Sequence, residues 1–552
     1  MSNSMFYTGL SGLNAAQAAL VTTGHNTANV NTPGYSRQTA QISASGGSNI
    51  PGVGFFGNGA QVTDVSRSYD QYLSSQLNQA QSLNQSLTTY GAQISQIDNL
   101  LANQTAGLAP QMQTLFTHVQ AVANTPADPS ARQQLISSSQ ALANQFRSMD
   151  QYLTGLNASV NDQVSGTVQQ INTYAVEIAS LNKQVAMFGN ASGTQAPNDL
   201  LDQRDQLVSD LGKLTGVKVV VQDGGQLNVF IGNGQTLVLG DKATMLAAVS
   251  SASDPNRTTL ATVNLAGKAV QMQEGMVTGG SLGGLLQFRS ETLTAAQNSL
   301  GRIAISLSDT FNTQQKAGFD LNGVAGKNFF SQASPAVLSN ATNSQAAPVG
   351  ALTASFADIG KLTTSDYRVN ATGPSAYKVT RLSDNATVAP DSTGAYDGLA
   401  LTFTGGVAGD SFLVQPTRAG ARDFAVVLID PAEVAAAGSP FTSTTGGVSD
   451  GSNALLLGAL QNQKTMGGGT ASFNDAYAQL VSTVGNKARQ VQISGAAQSS
   501  LTLQIRTAQQ SVSGVNQDEE TANLLMFQQM YQANAKVIQT ASTLFDAVLG
   551  IR

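Results

Sequence analysis

Side chains able to carry catalytic chemistry are scarce in this chain. Acid, base and nucleophile arrangements commonly need an imidazole; there are two, His25 and His118, and cysteine is absent. A thiol nucleophile, a thiolate metal site and a disulfide are therefore excluded. A histidine-dependent triad or a histidine-rich metal site is poorly supplied. His118 falls in the helical stretch TLFTHVQAV and reads as a partly buried helix residue. GDS at 409–411 resembles a hydrolase tripeptide, but its serine opens the strand-like SFLVQP behind a Gly-rich turn. MGGGT at 466–470 lacks the Gly-Lys-Ser/Thr ending that grips a nucleotide phosphate, and reads as a joint ahead of a helix. TPADPSARQQL at 125–135 reads as a turn, with Asp128 as a turn former and Ser130 as the cap of the next helix. Nothing points to the paired carboxylates of a glycosidase. No catalytic, cofactor-binding or metal residue is assigned, and no enzyme is expected.

The elements around these residues are those of a polar, weakly charged chain. Its 552 residues are too many for one core, so several domains are expected. Only 11% are charged, against about a quarter in ordinary soluble domains. With a net charge of −6 and no Lys/Arg cluster, a nucleic-acid partner is not expected. No run of about 18 apolar residues is present, so no membrane insertion is expected. The first basic residue is Arg37 and the first acidic one Asp64, which does not fit the basic start of a cleaved secretory signal.

Apolar residues spaced 3 and 4 apart mark helices. Such stripes run through Phe6 to Leu20, Tyr69 to Leu101, Ile171 to Phe188, Leu286 to Thr310 and Phe473 to Val512. A terminal helix is predicted from near residue 517, striped by Leu524, Phe527, Tyr531, Ile538, Phe545 and Val548 and widened by Met530, Val537 and Leu544. Period two takes over at 217–240, a run of hairpins, and in short strands between about 330 and 430. The fold class is therefore multidomain α+β: an elongated, coiled-coil-like helical stalk built from both ends of the chain, with antiparallel β domains inserted from its middle. The two terminal helices stand apart from the stalk. A lone helix of some twenty residues is marginal in water, so they need a partner for their apolar faces. In HNTANVNTPGYSR (25–37), Pro33 and Gly34 favour a type II turn that stops the first helix. Asn29 and Asn31 can turn the backbone without adding charge, and His25 reads as a polar helix-end residue.

SGLNAAQAALVTTGHNTANVNTPGYSRQ (11–38) and NLLMFQQMYQANAKVIQTASTLFDAVLGIR (523–552) resemble the terminal motifs of the bacterial flagellar axial family, the rod, hook and hook-associated proteins. Three internal stretches resemble its hook-associated protein 1 branch: LDQRDQLVSDLGKLTGV (201–217), the long block from GGSLGG to GKNFF (279–330), and AGDSFLVQPTRAGARDFAVVL (408–428). The resemblance implies a structural hook-filament junction protein, outside the cell, exported through the flagellar channel. Its implied partners are further copies of itself in a ring, the hook protein, the second hook-associated junction protein and an export chaperone. It also implies that the terminal helices order on assembly, with contacts through Phe6, Leu10, Leu13 and Leu20 and through the C-terminal stripe. Asn29, Asn31, Thr32, Pro33, Gly34 and Tyr35 then form the joint. The expected partition is terminal helices at 1–40 with 515–552; a stalk at 65–212, 280–320 and 455–512; a β domain at 213–279, 321–350 and 415–450; and a further β domain at 351–414. Two other readings stand beside it: a rod or hook subunit, which would lack the 279–330 block, and an enzyme or adhesin carried at 340–430.

Overall fold

A computed structural model describes the chain apart from residues 1, 51–53, 103–106, 190–195, 223, 265, 346–348, 442–446 and 551–552. The first helix, α1 (Ser2–Ala28), ends ahead of the Pro-Gly turn. Strands β1 (Gln38–Ala44) and β4 (Ala60–Arg67) then pair antiparallel with a bulge at Gln41/Ile42, and enclose the hairpin β2 (Gly47–Ile50) and β3 (Gly54–Gly57).

The stalk begins with α2 (Gln71–Leu101), capped by the Asp70 carboxylate, which accepts from the Leu73 N–H. It continues through α3 (Leu108–Asn124), α4 (Pro129–Gly189) and α5 (Asn198–Leu214). The stripe predicted at 171–188 is thus the last third of one 61-residue helix. Its start corrects the expected cap: the Ser130 N–H donates to the Asp128 carboxylate, so Asp128 caps and the Ser130 hydroxyl does not. Proline at the first helical position leaves the aspartate ahead of it as the natural acceptor.

Four strands follow, β5 (Val217–Val221), β6 (Leu227–Ile231), β7 (Gln235–Leu239) and β8 (Lys242–Ala243), paired in that order. A second sheet has β9 (Leu246–Ser250), β10 (Thr258–Val263) and β11 (Ala269–Gln271). Asparagines of α4 hold both sheets. Asn172 pairs with the N–H and C=O of Leu246, Asn182 with those of Leu227, and Asn161 accepts from the Thr258 N–H. Spaced about three turns apart on one helix, these amides satisfy strand backbone that would otherwise be buried without partners.

The chain returns as α6 (Gly280–Phe288), a π-helical turn at Arg289–Leu293, and α7 (Thr294–Ala317). Arg289 occupies a position in the apolar stripe and is fully buried. It donates to Glu274, Asn161 and the Thr258 carbonyl, so it ties α7 to α4 and β10.

A separate core forms around Tyr367, Val369, Val379, Leu399, Phe403, Phe412 and Val414. It belongs to β12 (Ala336–Ser339), β13 (Ala351–Phe356), β14 (Tyr367–Gly373), β15 (Ala376–Arg381), β16 (Thr387–Val388), β17 (Leu399–Thr404) and β18 (Ser411–Gln415). Five strands form a sheet in the order β12-β18-β14-β15-β16, and β13 pairs with β17. Residues 336–339 and 411–415 therefore join one sheet with 367–388, across the boundaries drawn at 350 and 414. The sheets at 217–271 share the stalk's core instead. The reason is pairing: Ala336 lies opposite Gln415, so the chain enters and leaves this unit through adjacent strands.

After α8 (Ser452–Ala459), the helix α9 (Phe473–Ser513) runs back along α2. A capping box starts it: the Asp475 N–H donates to the Ser472 hydroxyl, and the Ser472 N–H donates to the Asp475 carboxylate. The last helix, α10 (Gln517–Leu549), is capped by Asn516 and begins where the sequence places it.

Candidate assembly site: the paired termini and their joint

α1 and α10 lie antiparallel, and the contact between them is made by small residues. A Cβ on Gly9 would sit 2.9 Å from Ile538 Cγ1, and one on Gly12 would sit 2.4 Å from Asn534 Oδ1; Ala15, Ala16 and Ala19 are buried. Close approach of this kind turns the large apolar side chains elsewhere. Phe6 and Leu10 are exposed, and Leu13 and Leu20 half-buried. On α10, Leu524, Met530, Tyr531, Val537, Leu544 and Phe545 are exposed, and Phe527 and Ile538 half-buried. The Val548 side chain lies outside the described residues. The two stripes named from sequence are thus not packed into each other within the chain. The packing is done by a Gly/Ala stripe, Gly9, Gly12, Ala16 and Ala19, whose spacing of 3 and 4 is present in the sequence.

The joint is a built polar cluster. Gly34 has φ +81°, and the Tyr35 N–H donates to the Thr32 carbonyl at 3.2 Å, which with Pro33 between them is a type II turn. Asn29 donates to the His25 carbonyl and accepts from the Thr32 hydroxyl, whereas Asn31 is exposed. The turn rests against α5, and a Cβ on Gly34 would meet Gln206 Oε1 at 2.7 Å. A cleft of about 410 Å³ separates them, lined by His25, Tyr35, Asp199, Asp202 and Gln206 among others.

Asn26, 1% exposed, is the centre. Its amide nitrogen donates to the Gln38 carbonyl (2.8 Å) and to Glu520 Oε2 (3.1 Å). Its oxygen accepts from the Gln38 N–H (2.9 Å) and the Tyr35 hydroxyl (2.8 Å). With its only proton given to Asn26, the Tyr35 oxygen must accept from His25 Nδ1–H, 3.0 Å away. Burial raises the Tyr35 phenol far above its ordinary range, and the charges of Asp199, Asp202 and Glu520 add to this, so it stays a neutral donor.

Arg37 Nε donates to Glu520 at 2.8 Å, Arg37 Nη1 to Glu519 at 3.0 Å, and the Arg37 N–H to the Ser513 carbonyl at 2.9 Å. The neighbouring Ser36 N–H donates to Asp202 of α5, which also receives Arg67. Arg67 further pairs with Asp205 and lies over the Tyr69 ring at 4.1 Å. One chain of contacts therefore joins α10, the end of α1, β1 and α5. Tyr35 belongs to it, and Asn29, Thr32 and Gly34 flank it in the turn. Local sequence does not mark Glu520, Asp202 and Arg67, since each is anchored by a residue more than 100 positions away.

The GDS tripeptide holds structure. Asp410 of the GDS tripeptide is buried and accepts the Ser344 and Val407 N–H groups, and the Ser411 N–H donates to Asn343. Among the described residues no three His, Cys, Asp or Glu side chains are grouped to hold a metal, and no helix is long and apolar enough to cross a membrane.

Comparison with known proteins follows the same segments. Residues 94–330 match the flagellar hook-associated protein FlgK helical domain, and 338–416 the D2-like domain of flagellar hook-associated protein 1. Residues 6–35 match the flagella basal body rod protein model, and 508–551 the flagellar basal body rod FlgEFG protein C-terminal model. The chain is 44% identical to flagellar hook-associated protein 1 of Escherichia coli, covering 100% of both chains. It is 45% identical to that of Salmonella typhimurium, covering 98% of this chain and 99% of the relative. The structure of the flagellar hook junction protein FlgK from Burkholderia pseudomallei superposes with a TM-score of 0.73 at 33% identity, over 80% of this chain and 100% of that one. With full-length identity at this level and both internal domains matched, the chain belongs to the flagellar hook-associated protein 1 family.

Proposed function

We propose that the chain is a structural subunit of the hook-filament junction, added in copies at the distal end of the hook and held there by its terminal helices. The observation that carries this is the pair of open apolar faces: Phe6 and Leu10 on α1, and Met530, Val537 and Leu544 on α10. Two different faces on one two-helix unit suit head-to-tail contact between copies, which closes into a ring when the rotation allows. The hook protein below and the second junction protein above are the neighbours this position requires. Export through the flagellar channel, with a chaperone guarding the apolar C-terminal helix, suits a chain whose first 36 residues carry no Lys, Arg, Asp or Glu. The matches at 94–330 and 338–416 favour this over a rod or hook subunit. A scaffolding role without catalysis fits side chains that are spent on structural bonds.

Electron microscopy of cells lacking the chain is expected to show finished hooks, no attached filaments and flagellin in the medium. Attached filaments would sink the reading. Burying each apolar side chain contributes about 1.5–3 kcal/mol. Leu544→Asp with Phe545→Asp, both on the exposed face of α10, should therefore abolish incorporation while the melting temperature of the purified chain stays nearly unchanged, and an equal melting loss would count against the interface.

A further inference from the structure

We propose that Arg37 and Glu520 are the register key of the terminal helices, the contact that fixes which turn of α10 lies against which turn of α1. Arg37 is the only Lys or Arg among the first 66 residues, and Asp518, Glu519 and Glu520 are the only carboxylates between Asp475 and Asp546. α10 otherwise carries only Lys536 and Asp546, both far from its start, so Arg37 has one acidic cluster to find near the first turn of that helix. They meet: the Glu520 side chain is 2% exposed, with one oxygen on Arg37 Nε and the other on Asn26 Nδ2.

The rest of the contact does not choose a register well. Gly9, Gly12, Ala15, Ala16 and Ala19 offer a smooth surface, so α10 could slide along α1 by a heptad and still bury a comparable face. Such a slide would carry Glu520 about 10 Å from Arg37. It would leave a carboxylate buried without its partners, which is far costlier than the loss of a solvated ion pair. A single buried polar contact setting register in an apolar helix pair has the same logic as a buried asparagine in a coiled coil. Because the Arg37 N–H also holds the Ser513 carbonyl at the end of α9, the key ties the register to the stalk as well. The angle at which each copy presents its open faces would follow from it.

The chain has no cysteine, so introduced pairs report register directly. Gly9→Cys with Ile538→Cys marks the observed register. Gly9→Cys with Phe545→Cys marks a heptad slip, since those positions are otherwise about 10 Å too far apart along the helix for a disulfide. Under mild oxidation of the purified full chain, the first pair should cross-link and the second should not. In a Glu520→Ala background the first yield should fall and the second rise several-fold, and Arg37→Ala should shift the two yields the same way. An unchanged pattern in Glu520→Ala overturns the proposal. Loss of both products overturns it too, because the contact would then be a tether and not a key, and so does an Arg37→Ala chain that keeps the parent pattern. The readout is register within one chain, so its failure leaves the junction reading standing, and failure of the junction reading leaves it untouched.

Discussion

At the scale of single residues, the joint concentrates the largest effects. Asn26 satisfies four polar groups at once, and replacing it with alanine leaves the Gln38 backbone, the Tyr35 hydroxyl and one Glu520 oxygen short of a partner. Asn26→Ala is expected to weaken the joint by about 1–3 kcal/mol. Hydrogen exchange at the Gln38 amide should then speed by at least an order of magnitude, and unchanged exchange would count against the network. Gly34→Ala places a Cβ at φ +81° and 2.7 Å from Gln206 Oε1. About 1–2 kcal/mol of local destabilisation is expected, read as early proteolysis between α1 and β1, whereas Pro33→Ala should cost less because its backbone conformation is open to any residue. The turn was legible in the dipeptide itself. The partners of Asn26 were not, because they come from positions 35, 38 and 520.

At the scale of elements, one helix start and one buried arginine set much of the stalk. Asp475 is held below the ordinary carboxylate range, first by the Ser472 backbone N–H and then by the Ser472 hydroxyl. A carboxylate depressed in the folded state stabilises above its unfolded value, near 4, and loses that contribution as the pH falls through its folded value. The melting-temperature gap between the parent chain and Asp475→Asn should therefore be present at pH 7 and close as the pH falls below the ordinary carboxylate range. A gap that persists at the acid end would exclude the capping box as its source. Arg289→Ala removes the link from α7 to α4 and β10 and is expected to cost about 3–5 kcal/mol in chemical denaturation, since it breaks a buried charge network. Helical periodicity gave the stripe in which Arg289 stands. It could not say that this position is polar on purpose, because the acceptors on α4 and β10 are placed by the fold.

At the scale of the molecule, the β unit at 336–415 is an insertion with its own core and adjacent ends. Replacing residues 340–410 by a short Gly-rich turn is expected to leave a stalk that still melts cooperatively. It would lose the bonds of Asp366 to Asn298 and Arg418, and the cover over Ile305. Cells carrying that variant should keep attached filaments, as scored by electron microscopy, because the terminal helices and joint are untouched. Detached filaments would assign the insertion a part in the junction itself.

What the sequence determined by itself is what depends on neighbours close in the chain. That covers the helical stripes, the hairpins, the Pro-Gly turn, the α10 start, the scarcity of reactive groups and the terminal motifs that point to the flagellar family. Tertiary structure decided the Gly/Ala contact between α1 and α10, the asparagines of α4 that hold the inserted sheets, the sheet joining residues 336–339 to 411–415, and the burial of Glu520. Each of these rests on groups brought together from distant positions. Periodicity marks the side of an element that must be covered, but the choice of what covers it is made by packing and by the need to pair every buried polar group.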